Sequence, residues 1–443
     1  MNDVTIIGAG VSSVFLAYTL MEKHPDWKVH VIDKGKPLAE RACGLDHGEG
    51  CTCEGGCSKY IGFAGLGKSE GKFNLTTDFG GQLPEKIGEQ ETMDLMYEVD
   101  RILCSFGTDR VKKYSTKNEQ LSKKAESHSL KLLSTDVRHL GTQLAGGVFQ
   151  KMYEALKERV TFSFETDVAS ITRKENDFLI ETKDEDYVSD KVVLATGMSG
   201  SQWMLEQTRK LGLKPAETRL DLGIRVEMRK NQWDEILKNT FETKLQYTDG
   251  DYTATTYCMN PYGRIVPKHQ HGLVMPDGQN QHEENSPSGN LNFTLFIPKY
   301  FESYEMAFTY AERVVGGIND GSNRIVVQRF ADLLKNRPTE VLMDNKIAPT
   351  IEAEGGNLHE EVPALYIRFL LEFFEALEGL LGEKIDPDTL LYGIDSKFYE
   401  SKIYTDESFQ TSVSGLYLAG DCSGETHSLS QAAASGIYLE SKL

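Results

Sequence analysis

Three groups of residues in this chain have types and spacings suited to chemistry. The first is Gly8-Ala9-Gly10-Val11-Ser12-Ser13, with Asp33 placed 23 residues after Gly10. It follows a short apolar run, Val4-Thr5-Ile6-Ile7, and opens a helical stretch from Val11 to Lys23. Gly8 permits a tight turn and Gly10 lets the backbone approach a pyrophosphate. The free N–H groups and positive dipole end of the helix then face that anion. Ser13 stands where a third glycine is usual and is small enough for close packing. Asp33 and Lys34 close the next strand, where an acid accepts hydrogen bonds from a ribose diol. A glycine turn also occurs in α/β sheets without a ligand; strand, helix, strand and acid in order argue for a dinucleotide. The second group is Cys43, Cys51, Cys53 and Cys57, spaced C-x7-C-x-C-x3-C. Three readings stand side by side: zinc or iron–sulfur ligands, a redox dithiol with Cys53 and Cys57 as catalytic candidates, or surface thiols without a role. The third is Gly62-Phe63-Ala64-Gly65-Leu66-Gly67-Lys68-Ser69, which matches the P-loop pattern of nucleotide hydrolases letter for letter. A P-loop needs a buried strand before it and a helix after it. Glu54-Gly55-Gly56 and Glu70-Gly71-Lys72 offer neither. The better reading is a glycine loop along a cofactor, with Gly65, Gly67 and Lys68, or Lys72, near its anionic parts.

The type of dinucleotide is indicated elsewhere. Leu194-Ala195-Thr196-Gly197 ends a central strand. Gly415-Leu416-Tyr417-Leu418-Ala419-Gly420-Asp421 precedes a helix from about Ser430. This stretch resembles the C-terminal flavin motif of the glutathione-reductase-like fold class. That resemblance implies FAD, with Gly420 and Asp421 at the ribityl chain. It also implies a helix N-terminus carrying Gln431 and Ala432 against the flavin pyrimidine, where the dipole stabilises negative charge on the reduced ring. Val168 and Gly197 are expected near the adenine and pyrophosphate, with Ala195 and Thr196 alongside. His427 and Lys72 are candidate proton donors, although a solvated loop explains His427 equally well. Arg225 and Lys397 suit either an anionic substrate or structural ion pairs. His269 and His271 read as solvated surface.

These residues need elements to position them. Trp27 to Ile32 reads as a second strand and Leu144 to Arg159 as a helix. Val160 to Phe164 reads as a strand, Val168 to Arg173 with Asp177 to Thr182 as an antiparallel pair, and Lys191 to Ala195 as a buried strand. Residues 43–83 are expected as a Cys- and Gly-rich loop without a core of its own, and 91–134 as a charged helical excursion. The expected architecture is α/β: a discontinuous FAD/NAD(P)-binding Rossmann-like domain, 1–215 and 386–443, with an α+β domain, 216–385, inserted for the substrate. Within the insertion Gln270 to Gly289 reads as a long polar loop and Glu361 to Leu381 as an amphipathic helix.

The chain also resembles, nearly end to end, the uncharacterised FAD-dependent, or NAD(FAD)-utilising, dehydrogenases of bacteria and archaea. The resemblance rests on Gly62-Phe63-Ala64-Gly65 through Asn74, Arg138-His139-Leu140-Gly141-Thr142, Asp221 to Glu227, Cys258-Met259-Asn260-Pro261, Leu391 to Phe398 and Gln431 to Gly436. It implies bound FAD and oxidoreductase chemistry on a small-molecule substrate, without naming that substrate. Glu425-Thr426-His427 departs from it, since a more basic, glycine-containing stretch is expected there. Only one dinucleotide motif is visible, so NAD(P)H is expected to bind transiently. A flavin-binding sensor or assembly protein without turnover is the alternative, and a nucleotide hydrolase the remote one.

Composition bounds the rest. The 443 residues are 39% hydrophobic and carry a net charge of -19, which disfavours nucleic acid and anionic membranes as partners. No stretch approaches the roughly 18 apolar residues of a membrane span. The N-terminus lacks a basic leader, and a cytoplasmic location is expected.

Overall fold

A computed structural model describes residues 1–42, 60–68, 71–238, 240, 243–279, 288–399 and 401–443. Cys43, Cys51, Cys53 and Cys57, and with them the metal and dithiol readings, lie outside the described residues. Among the described residues no group of three or more His, Cys, Asp or Glu side chains is placed to hold a metal. No helix of them is long and apolar enough to cross a membrane.

The chain divides into two compact units. The first comprises Met1–Ser115, Thr135–Glu217 and Glu400–Leu443. Its sheet is built on β1 (Asn2–Ile7) and β2 (Val29–Ile32), which flank α1 (Val11–Lys23). Strands Val160–Ser163, β2, β1, Asp186–Leu194 and Leu416–Leu418 lie side by side and parallel. All four residues of β2 are buried, as expected of a parallel strand covered on both faces. The first half of Asp186–Leu194 instead pairs antiparallel with Phe178–Thr182, which pairs with Val168–Arg173. The α/β class with a Rossmann-like parallel sheet is the fold the sequence implied.

The loop expected over 43–83 does contribute to the core. Lys72–Leu75 forms a small sheet with Asp136–His139 and Tyr114–Ser115, and Phe63, Phe73, Leu75 and Leu83 are buried. The helical excursion is also more than helix. Glu89–Leu103 is helical, but Thr116–Ser134 belongs to the second unit. There Leu130–Leu133 pairs with Lys244–Asp249.

The second unit comprises Thr116–Ser134 and Thr218–Tyr399, so it runs past the expected 385 to Tyr399 and takes in a separate segment earlier in the chain. Its eight-stranded sheet is centred on Thr218–Arg229, which pairs antiparallel with Asn290–Phe301 and Leu390–Phe398. Leu220, Leu222, Ile224, Val226 and Met228 point to one face. They pack in one apolar core with Phe369, Phe373 and Leu377 of the helix Ala364–Leu381. The expected polar loop over Gln270 to Gly289 begins instead with a hairpin. Leu273–Gln279 pairs with Arg264–Gln270, and His271 and Gly272 both take positive φ, 54° and 78°, which suits the backbone twist of a two-residue turn.

The opposite face of this sheet is polar, and several of its groups are paired. Glu227 accepts from Thr350 Oγ1 at 2.6 Å, Asn290 Nδ2 at 2.9 Å and Tyr392 Oη at 2.6 Å. The Arg225 guanidinium is fully buried and donates to Thr294 Oγ1, Cys258 O and Asn292 Oδ1. It therefore acts as an internal strut and not as the anion binder considered from the sequence.

His30 on β2 is buried, with Nε2 2.9 Å from Ser163 Oγ and its ring edge-on to Tyr187 at 4.5 Å. Burial pushes its pKa down to about 4, against a weaker pull from Glu185. The unfolded chain therefore binds a proton below pH 6.5 that the folded chain refuses until about pH 4. Stability falls as pH falls through this window, by about 2 kcal/mol at pH 5. Denaturant unfolding at stepped pH should show this loss, and His30→Gln should flatten it.

Candidate nucleotide-binding site

β1 ends at Ile7 and the chain turns on Gly8, whose φ is +104°. Gly8 N donates to Ile32 O at 2.8 Å. A Cβ here would stand 2.3 Å from Ala195 O, so no side chain fits. Gly10 then caps α1 in an extended conformation with no side-chain cap. A Cβ on Gly10 would meet only Ala195 O, at 3.9 Å, so its bare face is open. The first turn of α1 carries no acidic residue, and its leading N–H groups have no partner within the helix. The helix thus presents donors and a positive dipole end where a ligand backbone can come close.

Asp33 closes β2. Its Oδ2 accepts from Ala9 N at 2.7 Å and its Oδ1 from Gly35 N at 2.6 Å. Burial raises its pKa; the two N–H groups, Arg41 and Lys34 oppose that rise. A carboxylate has roughly four acceptor sites, so two fixed N–H bonds leave capacity for a diol.

A third segment is fastened over this turn. Ala64 N donates to Ala9 O at 2.7 Å and Phe63 N to Lys36 O at 3.1 Å. The buried Arg41 guanidinium donates to Phe63 O and Gly65 O. Lys68 Nζ donates to Arg41 O at 2.6 Å. It therefore helps hold the loop. The Gly65–Lys68 turn is a short 3-10 helix and not the start of a long one.

The chain ends form the other side. Leu416–Leu418 leads into Gly420, with φ +71°. Asp421 Oδ1 accepts from Thr426 Oγ1 at 2.8 Å. Ser428 caps the helix Leu429–Glu440 by accepting from Gln431 N at 3.3 Å. That first turn also lacks an acidic residue.

These parts enclose a cavity of about 530 Å³, within the usual range for small molecules and cofactors. Gly8, Gly10, Val11, Ser12, Asp33, Lys34, Gly65, Val168, Ala195, Thr196, Gly197, Asp421 and Ala432 are on its wall. The structure brings these expected residues together from seven separate stretches of chain. Other expected residues stand behind the wall. Ser13 is buried within the first turn of α1. Gly67 packs against Val11 and Phe149, and Gly420 against Ser12. Gln431 donates to Phe79 O at 3.2 Å. His427 N donates to Gly80 O, and Lys72 pairs with His139 on its strand.

Some wall residues carried no signal in the sequence. Trp203 closes one end, its indole donating to Val168 O at 2.6 Å. The largely exposed Met198 stands nearby. Arg41 was equally silent, because its role depends on a loop it meets only in the fold. Ser428 was legible: Ser428-Leu429-Ser430-Gln431 is a helix-capping pattern.

Glycine turn, strand-end acid and helix N-terminus at the C-terminal edge of a parallel sheet define a Rossmann-type fold. No family model matches the chain, and no curated protein matches it. Among solved structures it is similar to E. coli quinol fumarate reductase FrdA, at 11% identity over 100% of this chain and 69% of that one, TM-score 0.40. Glycine oxidase from Geobacillus kaustophilus matches at 12% identity, 100% and 95% coverage, TM-score 0.38. Halogenase PltM, in complex with phloroglucinol and FAD, matches at 11% identity, 99% and 67% coverage, TM-score 0.37. Likeness of this extent leaves the function of the site to its own geometry.

A Cβ on Gly436 would stand 2.2 Å from Ser12 O of α1. Gly436→Ala gains about 1 kcal/mol of helix propensity but forces the two helices apart. Overpacking of this kind costs about 1–3 kcal/mol. Thermal unfolding should show net destabilisation of the first unit.

Proposed function

We propose that the protein is an FAD-dependent oxidoreductase acting on a small-molecule substrate. One observation carries the reading: two helix N-termini, those of α1 and of Leu429–Glu440, border one cavity. A nucleotide pyrophosphate needs one such end. The second suits a ring system that gains negative charge on reduction. Bound FAD would supply reversible exchange of a hydride or electron pair.

The residues present fit that group. Gly8, Gly10 and the α1 N-terminus would hold the pyrophosphate, Asp33 the adenosine ribose, and Asp421 the ribityl chain. Thr196 Oγ1, on the wall, is a buried oxygen without a partner. Unsatisfied oxygens of this kind are costly unless a ligand pairs them. Trp203 and Met198 would exclude water from one end, and Ser428 fixes the second helix so that its N–H groups stay aimed into the cavity.

The visible spectrum of the purified protein, before and after added FAD, tests this directly. Flavin bands that persist through gel filtration are expected. A colourless protein that also takes up no FAD overturns the reading. Bound flavin that neither nicotinamide nor any candidate substrate reduces favours the sensor instead. Asp33→Ala should weaken FAD and ADP alike by about tenfold or more, the worth of hydrogen bonds to a charged group. Equal affinity for ADP in the variant would remove Asp33 from the ribose.

A further inference from the structure

The polar face of the second unit's sheet carries an ammonium that no carboxylate among the described residues pairs. Lys397 stands opposite Asp221 in the ladder, yet Asp221 is already held. Arg219 grips it with two bonds, of 2.7 and 2.8 Å, and the Tyr399 hydroxyl donates to it at 3.0 Å. Two other cations of this face are committed. Arg225 is buried among Thr294, Asn292 and Cys258 O. Lys268 donates to Asp395 at 2.6 Å.

Lys397 instead lies among aromatic rings. Its Nζ is 3.4 Å from the Tyr257 hydroxyl, 4.6 Å from the centre of the Tyr257 ring and 4.8 Å from that of Tyr399. Lys244 Nζ stands 4.1 Å from the Tyr257 ring on another strand. The side chains of Lys397, Tyr257 and Tyr399 are all partly open to solvent. Cation–π contact offsets part of the cost of holding an ammonium here, but it leaves the charge in place. A half-buried, unneutralised charge beside a hydroxyl donor calls for an anion.

We propose that this face is a second small-molecule site, taking the carboxylate of a small organic acid between the Lys397 ammonium and the Tyr257 hydroxyl. Two donors 3.4 Å apart match the two oxygens of one carboxylate. The ring of Tyr399 offers apolar surface to the organic body, which an inorganic phosphate does not have. Every residue involved lies in the second unit, so the site does not depend on the flavin reading.

The fields around Tyr257 supply a readout. Lys244 lowers its pKa, burial opposes this, Lys397 lowers it and Cys258 raises it, with a net lowering; Tyr399 is a further titratable neighbour on this face. A bound carboxylate partly cancels the two lysines and should return the phenol to a higher pKa.

Benzoate titrated into the full chain, followed by calorimetry, is the test. Saturable binding is expected, weakened about tenfold or more by Lys397→Met and unchanged by Lys335→Met at an exposed position. In the wild type, benzoate should move the near-ultraviolet tyrosinate titration to higher pH, a shift absent from Tyr257→Phe. That measurement decides the matter even where Lys397→Met fails to fold. Absence of saturable binding, a Lys397→Met protein that binds equally well, or displacement of benzoate by an equal concentration of inorganic phosphate overturns the assignment. Flavin content measured on the same samples keeps failure here distinct from failure of the flavin reading.

Discussion

The first unit depends on how closely α1 and the helix Leu429–Glu440 cross. Gly436 brings one backbone onto Ser12 O of the other, and Gly420 leaves room for the Ser12 side chain. Ala432, Ala433, Ala434 and Ser435 continue the small surface, and all are buried. The two helices follow strands on either side of Asp186–Leu194 and begin at the same edge of the sheet. There Ile7, Leu194 and Leu418 end, with Ala195 N bonded to Ile7 O and Ala419 N to Leu194 O. Each N-terminus contributes about half a positive charge. Two of them at one cavity make a fixed electrostatic site that no titratable side chain has to supply.

That site needs a backbone able to come close, and Asp33 secures it. Its carboxylate ties Ala9 N on the glycine turn to Gly35 N after β2, while Ala64 reaches the same turn from the loop at Ala9 O. Three chain segments therefore share one polar junction. An acid there has a structural task whether or not a ribose is bound. This is why the affinity for ADP, and not fold stability, identifies its binding role.

The local signals in the sequence were sound because they depend on near neighbours. Helix Val11–Lys23 and the pair Val168–Arg173 with Phe178–Thr182 follow from periodicity and from the turn between them. Pairing between distant segments was not legible. Leu130–Leu133 looks like the end of a charged helical stretch, and only its partner Lys244–Asp249 assigns it to the second unit. Leu390–Phe398 likewise lies next to the C-terminal flavin-like motif in sequence but pairs with Thr218–Arg229. The hairpin at His271-Gly272 was hidden because Lys268, His269 and Gln270 are three consecutive polar residues that break the alternation of a strand. The glycine-loop motif has a related limit: it gives residue types but not the carbonyl of Arg41 to which Lys68 donates.

The two units answer one constraint in different ways. A chain with net charge -19 repels anions at long range, although salt limits that field to about 8 Å at physiological ionic strength. Any anion it binds must be attracted locally. The first unit does this with backbone dipoles, which stay constant with pH and cannot be neutralised by a neighbouring side chain. The second unit's sheet face is rich in charged groups, but most of them cancel one another: Arg219 with Asp221, Lys268 with Asp395. Buried pairs of this kind set geometry more than they add stability. Their effect on Lys397 is indirect. By occupying nearby carboxylates they leave its ammonium able to attract a ligand.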